Sequence, residues 1–209
     1  AGYWLGETPV TQALWEAVMG ENPSRFQGAT RPVEQVSFAD CQVFLGRLNQ
    51  RVPGLDARLP TEAEWERACR AGTQTATWLG DLRPGEEYAR AAVLERIAWY
   101  DETSGGETHP VGQKEPNPLG LYDMLGNVWE WCADWYGPYQ AGLQVDPVGP
   151  PAGSRRVVRG GSWNDDARSV RAAFRDGGDP GRRNGNLGFR LAGGQGSAPG
   201  RQGTPRSGS

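Results

Sequence analysis

The stretch LYDMLGNVWEW, residues 121–131, carries the strongest fold signal in the chain. Its aromatic and aliphatic side chains follow one another too densely for a strand with one face in water. The turn residues NPLG, 117–120, come directly before it. We therefore predict that this stretch, including Trp129 and Trp131, lies at the centre of the core.

The composition around this stretch predicts one loop-rich domain. The chain has 209 residues, long enough for one sizeable core. Nine tryptophans and 31 glycines indicate large buried rings connected by loops that need permissive backbone. We place the domain at residues 1–192. Residues 193–209, GGQGSAPGRQGTPRSGS, have no large apolar side chain and are expected to form a flexible tail.

Three helices are predicted before the central stretch. The clearest begins with a capping box, in which Thr61 and Glu64 exchange side-chain to backbone hydrogen bonds, and ends at Gly72. The earlier two are expected to end at Gly20 and to begin at Ser37. The side chains expected to face the core are Leu14, Trp15, Val18 and Met19, then Cys41, Phe44, Leu45 and Leu48, then Trp65, Ala68 and Cys69. Residues 73–118 are expected to be mostly loop.

Residues 155–192 are the candidate functional segment. Val157 and Val158 lead into Gly160-Gly161 on one side, and Leu187, Phe189 and Leu191 alternate with small or charged residues on the other. The interval 164–186 is rich in Asp, Asn, Gly and Arg, and it cannot bury enough apolar surface to be core. An irregular surface held at both ends by a packed fold is typical of a binding site. A solvated loop with no partner is the alternative.

Charge and cysteine content limit the partners and the compartment. The net charge is -3, the pI is about 5.3 and Lys114 is the only lysine, so neither nucleic acid nor an anionic membrane is indicated. No apolar run is long enough to insert in a membrane. The three cysteines, Cys41, Cys69 and Cys132, are expected to be buried free thiols. They favour a cytoplasmic location, although an N-terminal segment beyond this sequence could direct export.

Motifs along the chain resemble the formylglycine-generating enzyme (sulfatase-modifying factor) family. They occur in the family's order as far as about Leu191. The motifs are TPVT (8–11), PVEQVS (32–37), RLPTEAEWE (58–66), GLYD (120–123), GNVWEW (126–131), RGGSW (159–163) and GFR (188–190). The resemblance implies an α+β, C-type-lectin-like fold of the formylglycine-generating-enzyme subtype, with short helices on small twisted antiparallel sheets.

The metal-binding residues of the related enzymes are missing. In formylglycine-generating enzymes a cysteine pair binds copper just after the segment that matches Gly161-Ser162, and thiolates are needed to hold Cu(I). No cysteine follows Ser162 in this chain. Related sulfoxide synthases hold iron with a histidine cluster, but His109 is the only histidine. We therefore expect a protein that is not an enzyme and requires no cofactor.

The chain is most similar to the variable proteins of diversity-generating retroelements, a bacterial branch that displays a hypervariable face on this fold. Adenine replacement in asparagine codons of the AAC or AAT type never yields Lys, Glu, Gln, Met or Trp. Residues 164–186 contain none of these five types. The ligand-binding positions predicted to vary are Asn164, Asp165, Asp166, Ser169, Phe174, Asp176, Gly177, Gly178, Asp179, Gly181, Arg182, Asn184, Gly185 and Asn186. Fixed positions among them are Arg168, Arg171, Arg175, Pro180 and Arg183.

Acidic and basic residues are nearly balanced in this segment, which indicates a macromolecular ligand of the protein class more than a charged polymer. Phe174 is the one large apolar side chain expected to be available as an anchor. The sequence therefore favours a noncatalytic ligand-binding protein with diversified loops. The alternative is a degenerate or accessory member of the same family that has an interaction role and no diversification.

The resemblance also implies a structural calcium site. Its ligands would be Asp123 and Glu130 together with the backbone carbonyls of Gly126 and Val128. The alternative is that Glu130 pairs with an arginine near the core. The sequence leaves both open.

Overall fold

The structure is α+β and rich in loops, which confirms the predicted fold class. The computed structural model describes residues 2–82 and 87–194. The helices are α1 (Gln12–Met19), α2 (Phe38–Arg51), α3 (Glu62–Arg70) and α4 (Glu87–Ile97). The strands are β1 (Tyr3–Leu5), β2 (Ala57–Arg58), β3 (Trp129–Trp135), β4 (Arg156–Arg159), β5 (Arg175–Gly178), β6 (Leu187–Gly188) and β7 (Ala192–Gly194). Among the described residues, no helix has the length and apolar character needed to span a bilayer.

The three predicted helices are confirmed, and each begins at a capping residue. Thr11, Ser37 and Thr61 have extended backbone, and each side chain accepts a hydrogen bond from the first turn. The capping box at α3 is complete: Thr61 Oγ1 accepts from the Glu64 N–H at 3.2 Å, and Glu64 Oε2 accepts from the Thr61 N–H at 2.9 Å. The expectation that Leu14 faces the core is wrong, since it is exposed. The buried residues of α1 are Gln12, Trp15 and Val18.

The described part of residues 73–118 is mostly loop, as expected, but it contains helix α4, which the sequence pattern does not predict. Leu94 and Ile97 are fully buried in its second half, next to the buried Ala98 and Tyr100. The helix thus contributes to the core although its sequence shows no clear apolar stripe. Tertiary packing stabilises it, as is usual for short helices in proteins.

The first sheet joins the two ends of the domain. Its strand order is β1-β7-β2, and both pairs are antiparallel, with Tyr3 opposite Gly194 and Ala57 opposite Gly193. The predicted domain boundary at Ala192 is therefore two residues too early. Gly193 is needed in the strand because a Cβ atom there would lie 2.3 Å from Trp4 Cε2. The rest of the predicted tail, residues 195–209, lies outside the described residues.

The second sheet has the order β5-β4-β3-β6 and contains the central stretch. Strand β3 pairs antiparallel with β4, where Trp131 lies opposite Val158, and β4 pairs antiparallel with β5. The pair of β3 with β6 is parallel, with Trp129 opposite Leu187, which corrects the expectation of purely antiparallel sheets. Because side chains alternate along a strand, Trp129 and Trp131 point to one side of the sheet and Glu130 points to the other.

The predicted central position of the tryptophans is confirmed. Trp131 is fully buried and Trp129 is 8% exposed. Both belong to a cluster under α1 and α2 that includes Trp15, Phe44 and Phe189. The opposite side of the sheet packs on a second cluster. Its largest fully buried members are Trp65, Tyr100, Leu94, Ile97, Met124 and Leu125.

Arginines are buried together with carboxylates between the sheet and α3. Arg190 and Glu130 are almost completely enclosed, with Arg190 Nη2 2.9 Å from Glu130 Oε1. The Trp65 indole N–H donates to Glu130 Oε2 at 2.7 Å. On the neighbouring strand the fully buried Arg159 donates to Glu66. The second side of the sheet therefore carries, beside the second cluster, a charged layer of buried ion pairs between arginines and carboxylates.

Replacing Trp131 by alanine is expected to lower the free energy of unfolding by about 3–5 kcal/mol, because a large buried ring is removed from a packed core. The measurement is urea denaturation of the two proteins. Leu143→Ala is the control, since Leu143 is 95% exposed and its removal is expected to change stability by less than about 0.5 kcal/mol. Equal midpoints for Trp131→Ala and wild type would contradict the central packing of this ring.

Candidate ligand-binding face

The floor of the face is formed by Trp129, the first residue of β3. Its indole N–H donates to Asp165 Oδ2 at 2.7 Å. The Phe174 ring lies 5.9 Å from the Trp129 ring, centroid to centroid, at an interplanar angle of 49°. One rigid ring therefore holds two of the predicted variable positions.

Hydrogen bonds close the segment 164–186 at its two ends. Asn186 Nδ2 donates to Asn164 Oδ1 at 2.9 Å and to Ser162 Oγ at 3.3 Å. Ser162 Oγ also lies within hydrogen-bond distance of Asn164 Oδ1, at 2.9 Å, and of Asp165 Oδ2, and its single hydrogen can be donated to either oxygen. These contacts bring Asn164 beside Asn186. We call Asn164, Asp165, Phe174 and Asn186, with the Trp129 ring beneath them, the Trp129 cluster.

The second half of the segment lies along the start of α2. The Pro180 carbonyl accepts from the Phe38 N–H at 3.0 Å, and the Asn184 carbonyl accepts from the Gln35 N–H at 2.9 Å. Arg183 makes a bidentate ion pair with Asp40 at 2.8 Å. That guanidinium and the Ser37 cap hold the pKa of Asp40 below its usual value, against the effect of burial. The backbone is thus fixed at several points while side chains between them reach solvent.

Most of the predicted positions are accessible to a partner. The exposed ones are Asn164, Asp166, Asp176, Asp179, Gly181 and Arg182. The half-buried ones are Asp165, Ser169, Phe174, Gly177, Asn184, Gly185 and Asn186. Gly178 is buried. The structure brings the Trp129 cluster together, whereas the aspartates of 176–179 lie along and beyond the edge strand β5.

Packing excludes two glycines as freely variable positions. A Cβ atom on Gly178 would lie 2.6 Å from the Trp131 ring, and one on Gly177 would lie 2.8 Å from the Tyr136 ring. Phe174, expected to be available as an anchor, has its ring half-buried on Trp129, so only part of that ring is open to a ligand. These three positions are held by aromatic rings that sequence spacing does not reveal.

The predicted framework arginines divide into two groups. Arg175 is fixed: its Nε and Nη2 donate to the two carboxylate oxygens of Glu62 at 2.6 and 2.7 Å. Arg168 and Arg171 are exposed, and Arg168 makes only a 3.4 Å ion pair with the neighbouring Asp166. The assignment of Arg168 and Arg171 to the fixed positions stays a prediction, and both add positive charge to the accessible surface.

An N-terminal turn contributes to the same face. The Phe26 ring meets the Trp163 ring edge to face at 5.3 Å, and Trp163 Nε1 donates to the Gly185 carbonyl at 2.8 Å. The exposed Arg25 lies over Phe26, 5.0 Å from the ring centroid. Sequence reasoning missed Arg25 and Phe26. The available signal was an aromatic residue inside an otherwise polar turn.

The candidate calcium ligands favour the ion-pair alternative. Both oxygens of Glu130 accept from Arg190, and one also accepts from Trp65. A guanidinium in direct contact would repel a divalent cation. Asp123 is buried, accepts from the Gly112 N–H at 2.7 Å, and has a pKa raised by that burial.

The remaining two members of the proposed calcium set are also enclosed by the core. Val128 is buried, and Gly126 faces the Trp99 backbone so closely that a Cβ atom would lie 2.3 Å from its carbonyl oxygen. Within the described part of the chain, no group of three or more His, Cys, Asp and Glu is arranged to hold a metal ion. The calcium site stays a prediction, and the contact of Arg190 with both oxygens of Glu130 counts against it.

The cysteines are buried and free, as expected. Burial raises the pKa of Cys69 to about 12 and raises the pKa of Cys41 and Cys132 well above the usual value. All three thiols are therefore protonated at neutral pH. A protonated, enclosed thiol is a poor nucleophile and a poor copper ligand.

A polar segment displayed beside short helices and two small sheets is the architecture of C-type-lectin-like proteins. The chain belongs to the sulfatase-modifying factor enzyme 1-like domain family, whose model matches residues 1–194. It is 35% identical to the formylglycine-generating enzyme of Streptomyces coelicolor over 201 residues, which cover 92% of this chain and 61% of that protein. The chain thus spans about three fifths of that relative.

Solved structures give the same fold. Treponema denticola variable protein 1 superposes with a TM-score of 0.79 at 37% identity, covering 91% of this chain and 84% of that one. This confirms the resemblance to variable proteins. PvdO from Pseudomonas aeruginosa superposes with a TM-score of 0.74 at 24% identity, covering 92% and 91% of the two chains, and supports the fold alone. The relatives therefore include both enzymes and a variable protein.

Replacing Glu130 by glutamine is expected to lower the free energy of unfolding by about 3–5 kcal/mol, because Arg190 is then buried without its counter-charge. The exposed Glu16→Gln is the matched control and is expected to behave as wild type. Melting is measured in excess calcium chloride and in excess EGTA, and the two are expected to agree. A rise in melting temperature that depends on calcium and is lost in Glu130→Gln would instead show that Glu130 binds calcium.

Proposed function

We propose that this chain is a noncatalytic ligand-binding protein whose surface segment 164–186 is diversified by a diversity-generating retroelement. The observation that carries the proposal is the closure of this segment over Trp129, with exposed side chains between fixed backbone points. A rigid floor under accessible side chains allows the surface to change while the core stays the same. The similarity to a variable protein supports this reading.

Composition supports diversification through adenine replacement. Six of the predicted positions are exposed, and they carry only Asn, Asp, Gly and Arg. These are residue types that an asparagine codon can reach, and the whole segment lacks the five types that it cannot reach. The two glycines locked by packing, Gly177 and Gly178, are best treated as fixed positions within the diversified segment.

The absence of catalysis rests on the residues of the family's active-site segment. The copper-binding enzymes need two thiolates after the stretch that matches Gly161-Ser162, and this chain has Asp165 and other non-thiol residues there. Asp165 is occupied by hydrogen bonds from Trp129 and Ser162. We infer that the fold has kept the scaffold and uses the former chemical site as part of its recognition surface, with no cofactor required.

The chemistry of the face fits a protein ligand. Exposed aspartates and arginines alternate along the segment, so no single sign of charge dominates. Arg25 and the half-buried Phe26 add a cation and an aromatic edge from the N-terminal turn. Such mixed hydrogen-bonding surfaces with a few aromatic contacts are typical of adaptable paratopes. Nucleic acid would demand a basic stripe.

The genomic neighbourhood tests the proposal directly. A reverse transcriptase gene and a near-copy of the DNA encoding residues 164–186, differing mainly at adenines, are the expected finding. If the reverse transcriptase gene and the near-copy are both missing, the second candidate function is favoured, namely an accessory interaction domain of the same family without diversification. The similarity to formylglycine-generating enzymes favours that candidate.

The double variant Asp176→Ser and Asp179→Ser is expected to melt within about one or two degrees of wild type. Each aspartate accepts only a local backbone N–H, from Gly177 at 2.7 Å and Gly181 at 2.8 Å, and serine can make the same bond.

Gly178→Ser is the matched contrast on the same strand. It is expected to lower the free energy of unfolding by about 1–3 kcal/mol or more, because the added side chain overlaps the Trp131 ring. Thermal and urea denaturation of both variants give the answer. A large loss for the aspartate pair would show that the outer positions of the segment are structural.

A further inference from the structure

A cavity of about 650 Å³ lies away from the ligand-binding face, between α3, the end of β3 and the segment 137–150. Of its lining residues, only Arg175 belongs to the segment 164–186. Its volume is in the range of small-molecule pockets. Carboxylates of α3 and β3 line one part, and the side chains of Tyr139, Val145 and Val148 line another.

Two of the carboxylates are neutralised by arginines. Glu62 accepts both hydrogen bonds of the Arg175 fork and one from the Tyr139 hydroxyl at 3.0 Å. Glu66 accepts from Arg70 at 2.8 Å and from Arg159. These ion pairs connect α3 to the sheet and leave little net charge on Glu62 and Glu66.

Asp134 is different, because no described arginine or lysine contacts it directly, although the Arg156 guanidinium interacts with its charge at longer range. It is only 4% exposed, and its Oδ2 accepts from the Glu62 backbone N–H at 2.8 Å. Among the described residues it makes no ion pair with an arginine or lysine. Burial raises the pKa of Asp134 to about 6. The negative charges of Glu62 and Glu64 also raise this pKa, whereas the hydrogen bond from the Glu62 backbone lowers it. An enclosed carboxylate without a cation is stabilised by any ligand that supplies one.

The side chains of the apolar wall are largely exposed to solvent. Tyr139 is 66% exposed, Val145 83% and Val148 67%, although all three line the cavity. Covering such side chains releases about 25 cal/mol for each Å² of apolar surface removed from water. A ligand that places an apolar group here and a cation on Asp134 would satisfy both features.

We propose that this cavity binds a small organic amine, with its ammonium group on Asp134 and its apolar part against Tyr139, Val145 and Val148. A bare metal ion fits less well, since calcium and magnesium need several converging oxygens and the neighbouring carboxylates already hold arginines. The proposal is independent of the diversified face. It assigns a second binding site to the scaffold itself.

Titration calorimetry with phenethylamine tests the pocket on the whole chain. Phenethyl alcohol and 3-phenylpropionate are the neutral and anionic probes of similar shape. Saturable one-to-one binding of the amine is expected, with the other two weaker by about tenfold or more, because a charge-assisted hydrogen bond to a buried carboxylate is lost. Equal binding of amine and alcohol, or no saturable amine binding, would overturn the proposal.

Variants locate the binding. Asp134→Asn can keep the hydrogen bond from Glu62 and is expected to weaken amine binding by about tenfold or more. Val148→Lys is a second variant at an exposed position, so it is expected to fold, and its positive charge should repel the amine several-fold. Asp179→Asn removes a carboxylate from the segment 164–186 and is expected to bind the amine as wild type. If Asp179→Asn also loses binding, the amine is bound elsewhere.

Binding should also weaken from about pH 8 to about pH 5, as Asp134 becomes protonated. The other ionisable groups around Asp134 are Glu62 and Glu64 of α3, Arg156 of β4, and Tyr139 and Asp146 of the segment 137–150. Asp134→Asn should lose this pH dependence. A pH dependence that survives in Asp134→Asn would assign the ammonium to another carboxylate and contradict the proposal.

Discussion

The buried pair of Arg190 and Glu130 is the interaction on which the rest of the structure depends. Arg190 donates to both oxygens of Glu130, to the Gly6 and Glu7 carbonyls at 2.8 and 2.9 Å, and to the Tyr122 carbonyl at 2.7 Å. Glu130 in turn accepts from Trp65 of α3. An isolated buried charge is costly, so every one of these contacts must form together. One guanidinium thereby fixes the N-terminal strand, the central stretch and α3 relative to the sheet.

The two faces of β3 carry different contacts: one face holds the buried ion pair, and the other supports the candidate ligand-binding face. Because side chains alternate along β3, Glu130 points into the charged layer beneath α3, whereas Trp129 points to the other side and carries Asp165 and Phe174. The rigidity set by the ion pair is transmitted through a single peptide unit to the floor of the ligand-binding face. Because the Arg190–Glu130 pair lies on the opposite side of the sheet, a change in the side chains above Trp129 does not remove any contact of that pair.

Local chemistry made part of this structure predictable. The caps at Ser37 and Thr61 depend on residues three positions apart, and the density of rings in residues 121–131 marks them as core. The burial of Arg190 could not be predicted, since alternation with Phe189 and Leu191 makes it look like a solvent-facing residue, and its partner is 60 positions away. The fixed Gly178 depends on Trp131 across two strands in the same way. Arg25 and Phe26 join the face from the opposite end of the chain.

The hydrogen bonds and packing contacts of the segment 164–186 decide which of its side chains could be replaced without loss of stability. Its backbone is fixed by carbonyls, at Pro180, Asn184 and Gly185, which every residue type provides. Asn164 and Asn186 hydrogen-bond to each other but also share Ser162, so changing either leaves the other with a partner. A surface anchored through its main chain and through Ser162 is expected to lose little free energy of unfolding when its other side chains change. Gly177 and Gly178 are the exceptions, because a larger side chain at either position would overlap an aromatic ring.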